Sequence, residues 1–478
     1  MDLRARIDAA PMTSYQWLIV GLCVVLNILD GFDVMALAFT AAAVGEEFQL
    51  SGSVLGLLLS AALIGMAVGA LVLGPVADKV GRRPTVLVSV ALAAIGPALV
   101  AISSSALEVG LWRFVTGLGV GGVLVCTTVI VSEYSSARWR GLAVSIYAAG
   151  FGVGATLGGL AAVTLQEGFG WRGVFVAGAL LSAIVLVVLI AVLPESIDFL
   201  RVRARSRDRA RISELARRMG HDLDAVESDL ARDPHAARDD AAAAGRIGDL
   251  FRGARRRRTL LLWAAFFCTM FGFYFANSWT PTLLEASGLS REQSANLGMM
   301  VALGGAVGSV LFGLCASRWP ARTVLFCFLL LSAGTMTVLI AATAFMPVAF
   351  VIGILIGALI NGCIAGLYTL APAQYGPRLR STGVGWAIGV GRAGAILAPL
   401  AAGALMDLDW TPAQLYGAVA GVVVLGAVAV FLLPRPAPER AGDADEQLRT
   451  GAARTGGAVQ DSLTAQDSPT VQCPSTRV

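Results

Sequence analysis

Twelve runs of apolar residues, separated by polar stretches, fill most of the chain as far as residue 433. A helix that crosses a bilayer needs about 20 predominantly apolar residues, and each run is about that long. A long polar segment, residues 197–257, divides the runs into six and six. The pattern predicts an all-α membrane protein with 12 transmembrane helices in two six-helix halves. The predicted spans lie near residues 15–40, 53–77, 85–104, 107–131, 141–165, 171–193, 259–281, 293–316, 322–342, 346–371, 382–406 and 411–433.

The composition is typical of a polytopic membrane protein. Of the 478 residues, 56% are hydrophobic and 14% are charged, whereas soluble proteins carry about 25% charged residues. The 55 glycines suit helices that approach one another closely in lipid. The seven cysteines form no CxxC pair, and no cluster of metal ligands is present. We therefore expect no metal and no cofactor.

The same boundaries divide the chain into five parts. We expect a cytoplasmic N-terminus (1–14), an N-terminal half (15–196), a cytoplasmic central loop (197–258), a C-terminal half (259–433) and a disordered cytoplasmic tail (434–478). The N-terminus lacks the cleavage pattern of a signal peptide, so the first apolar run should remain as a helix.

Positive charge predicts the orientation. Of the 36 Lys and Arg residues, Arg113 and Arg392 lie within predicted spans, and Arg172 and Arg291 lie in loops on one side. The remaining 32 all lie on the other side, which the positive-inside rule assigns to the cytoplasm. Both termini are therefore expected in the cytoplasm, with the chain in the inner membrane. The rule also accounts for the arginine run RGARRRR (252–258), so we expect no nucleic-acid partner.

The two halves resemble each other in sequence. GPVADKVGRRPTVL (74–87) aligns with GLCASRWPARTVL (313–325), and EYSSARWRG (133–141) aligns with QYGPRLRS (374–381), each at an offset of about 240 residues. Two related six-helix halves with a binding cavity between them at the bilayer midplane are a transporter architecture.

Short motifs point to a known family. GPVADKVGRRP (74–84) resembles the signature loop between the second and third helices of the major facilitator superfamily, and with the six-plus-six layout the resemblance covers residues 15–433. DGFD (30–33), EYSSARWRG (133–141) and NSWTPTLL (277–284) resemble the aromatic acid/proton symporter family, which includes benzoate and 4-hydroxybenzoate transporters. The resemblance implies the major facilitator fold, and importance for both first-span acids and for Arg113, Glu133 and Arg392.

Two aspartates, Asp30 and Asp33, lie in the middle of the first span. A charge at the centre of a membrane helix costs roughly 2.5–3.5 kcal/mol, so both side chains should face the bundle interior or a watery cavity. Residues three apart share a helix face, and two close carboxylates repel, so one should hold a proton more readily. No span contains a histidine. Proton coupling is therefore expected at this pair, although the pair could instead serve only to assemble the fold.

Two cations can balance these acids. Arg113 lies in the outer half of the fourth span and Arg392 in the middle of the eleventh. An arginine can bind a carboxylate through two parallel hydrogen bonds. Protonation of one aspartate would leave net positive charge and favour an anionic substrate. We favour Arg392 for the substrate, since it belongs to the second half, while Arg113 remains a candidate for substrate or for pairing with Asp30 or Asp33.

Aromatic and polar residues are candidates for the rest of the binding site. The seventh span carries a dense aromatic cluster, FFCTMFGFYFANSW (266–279), which can line a substrate site or pack the bundle. Within it, Tyr274 and Asn277 are three residues apart and can bind ring hydroxyls, while Phe271 can stack on an aromatic ring. Tyr147 in the fifth span is a further candidate.

The signature loop is expected to form a gate on the cytoplasmic face. Its charges can hold that face closed and must separate when it opens; topology signalling alone is the alternative. The second copy carries Ser317 where the first has Asp78, so the second gate should be weaker. The candidate gating residues are Asp78, Arg82, Arg83, Glu133, Arg138 and Arg318.

These features together predict a transporter and not an enzyme. We expect a monomeric importer of a small aromatic carboxylate that is driven by a proton gradient and alternates access around a central site. Benzoate, hydroxybenzoates, vanillate, phenylpropionates and pyridine carboxylates fit equally. A proton-coupled exporter is one alternative, although Ala155 follows Gly154 where drug/proton antiporters carry proline. A non-transporting membrane sensor of aromatic acids is another.

Overall fold

The computed structural model describes residues 3–203, 206–220, 247–253, 255–375 and 377–434. Residues 221–246 of the predicted central loop and nearly all of the predicted tail lie outside the described residues.

Helices make up nearly all of the described chain. The described residues form 14 α-helices and two short 3-10 helices, Ile247–Phe251 and Pro372–Gln374. The α-helices are α1 (Leu3–Ala9), α2 (Ser14–Phe48), α3 (Gly52–Val80), α4 (Arg82–Ala101), α5 (Ala106–Tyr134), α6 (Arg140–Val192), α7 (Ile197–Arg203), α8 (Ser206–Arg218), α9 (Arg255–Ala286), α10 (Arg291–Ala316), α11 (Ala321–Ala342), α12 (Met346–Leu370), α13 (Pro377–Met406) and α14 (Pro412–Leu432).

The long helices run alternately between the two ends of one bundle. We call one end the terminal face; it carries the N-terminus and the turns at residues 81 and 193–196. The other end, the opposite face, carries the turns at residues 49–51, 287–290 and 407–411.

Among the described residues, 11 helices are long and apolar enough to cross a membrane. One of them, α6, has 53 residues, which at about 1.5 Å per residue is more than twice a bilayer core. Its backbone leaves helical geometry at Gly170 (φ 63°, ψ −173°). Both ends of α6 lie at the terminal face, because Arg140 pairs with Asp8 and the Ile190 carbonyl accepts from Arg83. α6 is therefore a hairpin of two spans, which gives 12 in all.

The two halves pack their helices in the same way. Gly117 of α5 lies against the Ala62 carbonyl of α3, and Gly357 of α12 lies against the Val301 carbonyl of α10. A Cβ atom at either glycine would overlap that oxygen, so only glycine permits this approach. The two glycines are 240 residues apart, which is the offset between the sequence repeats.

The halves meet most closely towards the opposite face. The Ser60 hydroxyl of α3 donates to the Ile396 carbonyl of α13 at 2.9 Å. Nearer the opposite face, Arg291 pairs with Glu46 at 2.9 Å. These contacts hold the opposite side of the bundle together.

Three short helices at the terminal face were not predicted. α1 lies in the predicted polar N-terminus, and α7 and α8 lie in the predicted central loop. Their apolar side chains Ile7, Leu200 and Ile212 are each at most 2% exposed and join one hydrophobic cluster with residues of the first half. The three helices thus cover the terminal face of the first half.

Candidate functional site

The two aspartates of α2 have different partners. Asp33 accepts a hydrogen bond from the Arg113 guanidinium of α5 at 2.7 Å. Arg113 is only 2% exposed, so the pair is held away from solvent inside the first half. Arg113, left open between substrate and pairing by the sequence, is committed to Asp33 in this state.

Asp30, one helical turn earlier, is not committed in this way. Its side chain is 5% exposed, and its Oδ1 atom has no hydrogen-bond partner among the described residues. The charges within electrostatic range are those of Arg392, Asp33 and Arg113, with Arg392 acting most strongly. Asp30 is therefore a buried carboxyl within electrostatic range of a cation of the other half, and the two form no ion pair among the described contacts.

Arg392 of α13 reaches across the boundary between the halves. Its guanidinium donates a hydrogen bond to the Met66 sulfur of α3 at 2.7 Å. Tyr274 of α9 and Tyr368 of α12 both lie close enough to interact with its charge. The central site thus joins an acid of the first half to an arginine and two tyrosines of the second.

Tyr147 of α6 completes the first-half side of this site. Its hydroxyl bonds to the Thr127 hydroxyl at 2.9 Å, and its backbone carbonyl accepts from Asn27 at 2.6 Å. The phenolic oxygen of Tyr147 lies within electrostatic range of both Asp30 and Arg392. We define the central site as Asp30, Met66, Tyr147, Tyr274, Tyr368 and Arg392.

Two members of the central site were missed by sequence reasoning. Met66 and Tyr368 lie in apolar runs with no unusual motif around them. Methionine and tyrosine are ordinary in membrane helices, so only the rotation of α3 and α12 about their axes shows that both side chains reach Arg392. The sequence repeat between the two halves did not point to either residue.

Two predicted substrate residues have other contacts. Asn277 donates to the Phe273 carbonyl of its own helix at 2.8 Å, so one of its two amide N–H donors is already used. Phe271 packs against Phe267, with ring centroids 6.2 Å apart. Neither side chain has a described contact with Arg392 or Asp30, and their roles in binding stay predictions.

A charged network at the terminal face includes part of the predicted gate. Arg82 lies 3.2 Å from Glu133 and donates to the Ser196 hydroxyl at 2.6 Å. Ser196 in turn donates to Glu133 at 2.6 Å. The Arg82 backbone N–H donates to Glu195 at 2.8 Å. This network ties the turn before α4 to the ends of α5 and α6 within the first half.

The remaining gate candidates take no part in the ion pair between Arg82 and Glu133. The Arg83 side chain donates to the Ile190 carbonyl at 2.7 Å, and Asp78 is largely exposed at 3.6 Å from Arg82. Arg138 lies over the Trp139 ring, and Arg318 is exposed in the turn after α10. The gating role of all these residues stays a prediction.

A sequence model of the Major Facilitator Superfamily matches residues 23–313 and, in a second match, residues 262–465. The chain belongs to the major facilitator superfamily. It is thus a multi-pass membrane protein from a family of transporters, as the signature loop and the six-plus-six layout suggested.

Its relatives in sequence are aromatic acid transporters. The chain is 34% identical to the 4-hydroxybenzoate transporter PcaK of Pseudomonas aeruginosa, over 90% of this chain and 95% of that protein. It is 32% identical to the gallate transporter of Pseudomonas putida, over 85% and 89%. It is 29% identical to the benzoate transport protein of Acinetobacter baylyi, over 91% and 92%. The predicted membership of this branch of the superfamily is confirmed.

Solved structures share the fold. A bacterial homologue of the human lysosomal transporter Spinster matches with a TM-score of 0.70 at 17% identity, covering 89% of this chain and 98% of that one. The proton:xylose symporter XylE matches with a TM-score of 0.66 at 18% identity, over 88% and 96%. At such identities the likeness concerns the fold alone, and it confirms the predicted 12-helix architecture.

Proposed function

We propose that this protein imports a small aromatic carboxylate together with a proton. The observation that carries the proposal is the buried Asp30 carboxyl, which faces Arg392 across the boundary between the halves while Asp33 is already neutralised by Arg113. The terminal face is then cytoplasmic, as the positive charges predict, and the membrane is the inner membrane.

The charges of the central site link proton and anion. When Asp30 is ionised, it offsets the charge of Arg392, and a second carboxylate is repelled. When Asp30 is protonated, Arg392 is left with net positive charge in a buried site, where an anion is strongly favoured. Asp30 therefore carries the proton, Arg392 binds the substrate carboxylate, and each promotes the binding of the other.

The surroundings of Arg392 suit an aromatic ring. Tyr368 and Phe266 contact each other edge to face, with ring centroids 5.9 Å apart, and Tyr274 stands beside the same guanidinium. A planar ring can stack among these side chains, and the tyrosine hydroxyls can bond to ring hydroxyls of the substrate. Benzoate and its hydroxylated forms are thus the substrate class that we propose.

The contacts between the halves suggest which step this conformation represents. The described hydrogen bonds between the halves lie at the central site and on its opposite-face side. Arg392 bonds to Met66 at the central site, and Ser60 bonds to the Ile396 carbonyl nearer the opposite face. In alternating access only one side of the central site is open at a time. With the opposite face held together, the site opens towards the terminal face, which in our proposed orientation is the side of substrate release.

The test is transport by purified protein in liposomes. Radiolabelled 4-hydroxybenzoate, benzoate and gallate are offered outside, with and without an inside-alkaline pH gradient. We expect gradient-dependent accumulation that a protonophore abolishes. The variant Asp30→Asn, which mimics the protonated acid, should still exchange labelled for unlabelled substrate but should not accumulate it. Asp409→Asn, at an exposed acid of the opposite face, is the matched control and should behave as wild type.

Each result decides between functions. Accumulation by Asp30→Asn equal to wild type would remove Asp30 as the proton carrier. Expulsion of preloaded acid under an inside-alkaline gradient, or uptake under an inside-acid one, would mean that acid and proton move in opposite directions and would replace import by export. Saturable binding without flux in either direction would favour the sensor.

A further inference from the structure

Arg392, a half-buried arginine inside the bundle, makes an unusual hydrogen bond. Arg113, buried in the same bundle, is paired with a carboxylate, whereas the guanidinium of Arg392 donates to the thioether sulfur of Met66 at 2.7 Å. A thioether is a weak acceptor, and hydrogen bonds to carboxylates are roughly twice as strong as those to neutral groups. The partner of Arg392 in this state is therefore one that a carboxylate can readily displace.

The position of Met66 is fixed by its own half. The backbone of α3 at Met66 lies directly against Gly117 and Gly121 of α5, where a Cβ atom would not fit. The Met66 side chain is 2% exposed. The backbone that carries the sulfur is therefore held in place by two closely packed helices of the first half, while the arginine comes from α13 of the second half.

We propose that the Met66 sulfur occupies the Arg392 guanidinium in the empty site as a weak, neutral competitor, and that the substrate carboxylate displaces it. This inference rests on the proposed function. The weak bond does not neutralise the guanidinium, so the empty site keeps its affinity for an anion. A stronger acceptor at residue 66 would compete with the substrate, and a side chain with no acceptor would not compete at all.

Two substitutions of similar volume should therefore change affinity in opposite directions. Met66→Leu removes the acceptor, and we expect the Kd for 4-hydroxybenzoate to fall by about two- to tenfold, the range of one net neutral hydrogen bond. Met66→Gln supplies an amide oxygen, a better acceptor, and the Kd should rise by a similar factor. Calorimetry on purified protein at one fixed pH measures both.

Met336, a buried methionine of α11 that lies beside α9 at Gly272, provides the control. Met336→Leu and Met336→Gln should not move Kd in opposite directions. A purely structural role for Met66 would make both of its variants neutral or both weaker. Either of those results, with wild-type binding intact, would overturn the inference.

A second measurement does not depend on any substrate. In protein with ¹³C-labelled methionine methyl groups, Arg392→Gln should shift the Met66 resonance and leave the Met336 resonance in place. Addition of 4-hydroxybenzoate to wild type should shift the Met66 resonance as well. A Met66 resonance that ignores Arg392→Gln refutes the contact whether or not an acid binds. A Met66 resonance that responds to Arg392→Gln, in a protein that binds no aromatic acid, supports the contact and refutes the proposed substrate.

Discussion

Asp30 and Asp33 lie on neighbouring positions of one helix, yet their surroundings give them different chemistry. Asp33 is bonded to a buried arginine of its own half at 2.7 Å. Asp30 faces Arg392, whose hydrogen bond goes to a neutral sulfur. A fixed ion pair suits structure, whereas a carboxyl without a fixed partner can gain and lose a proton as the halves move.

Removal of one partner of the fixed pair should destabilise the protein. Asp33→Asn leaves the Arg113 charge buried and uncompensated, which typically costs about 3–5 kcal/mol. We expect a clearly lower Tm for the protein in detergent, measured by thermal unfolding of the purified variant.

A double variant distinguishes the loss of the ion pair from the effect of leaving one buried charge without its partner. Asp33→Asn combined with Arg113→Gln leaves no unpaired charge, so it should recover a large part of the lost Tm. Asp30→Asn leaves this pair intact and should lower the Tm less than Asp33→Asn. Equal Tm values for Asp33→Asn and wild type would show that the pair does not stabilise the fold.

The sequence was sufficient to single out these charged residues but not to pair them. Apolar runs place a residue at a depth in the membrane to within a few residues. They do not give the rotation of a helix about its axis, and rotation decides that Asp33 meets Arg113 while Asp30 meets Arg392. Rotation also places Met66 and Tyr368 in the site, where no motif marks them.

At the scale of helices, a helix cap adds to the contacts that join the halves at the opposite face. Asp407, after α13, accepts hydrogen bonds from the backbone N–H groups of Gly52 at 2.6 Å and Ser53 at 2.9 Å, and also bonds to the Ser53 hydroxyl. These N–H groups are among those that the start of a helix leaves without an intrahelical partner. The carboxylate of one half therefore caps a helix of the other half, and its negative charge suits that end of the helix dipole.

Weakening of this cap should favour opening of the opposite face. Asp407→Asn removes the charge, and we expect a severalfold larger population with long distances between spin labels at Val54 and Leu408. The distances are measured by electron–electron double resonance in a background without reactive cysteines. Asp409→Asn changes an exposed acid in the same turn and should leave the distances unchanged. Unchanged distances in Asp407→Asn would mean that the other contacts between the halves, such as that of Arg291 with Glu46, hold the face together without the cap.

The Asp407 cap should not respond to pH in the working range. Hydrogen bonds from Ser53 hold the pKa of Asp407 below its usual range, which is near 4. Because the pKa is lowered, the cap contributes fully above that value and is lost only as the pH falls through the lowered pKa. Titration of Asp407 should therefore leave the distance between the spin labels at Val54 and Leu408 unchanged from about pH 5 to about pH 8 in the wild type.

Long apolar helices could be predicted from the sequence, whereas short polar ones could not. Each predicted span begins and ends within a few residues of an observed helix, except that the α2 helix continues to Phe48. α1, α7 and α8 are charged segments whose few apolar side chains are buried only by the rest of the first half. Because so few of their residues are apolar, the sequences of these helices contain no apolar run from which a helix could be predicted.

At the scale of the whole molecule, the sequence repeat and the glycine contacts describe the same symmetry. The offset of about 240 residues, found from charged loops, also relates Gly117 to Gly357 inside the bundle. Fold prediction succeeded because topology depends on hydropathy and on loop charge. The charged sites do not share the symmetry: Asp30 and Arg113 belong to one half and Arg392 to the other. The proposed coupling would therefore depend on contacts between two halves that are alike in backbone and unlike in charge.

This distribution of charge predicts the driving force for the complete cycle. In the proposed cycle Asp33 and Arg113 stay paired at every step, so the only charges that change are one proton on Asp30 and one carboxylate on Arg392. Their sum is zero, and uptake of a monoanion should be electroneutral. In liposomes, an inside-alkaline pH gradient should drive accumulation. An inside-negative potential set with potassium and valinomycin at equal pH should have almost no effect. Accumulation driven by the potential alone would require a second proton, and Asp33 would then have to release Arg113 during transport.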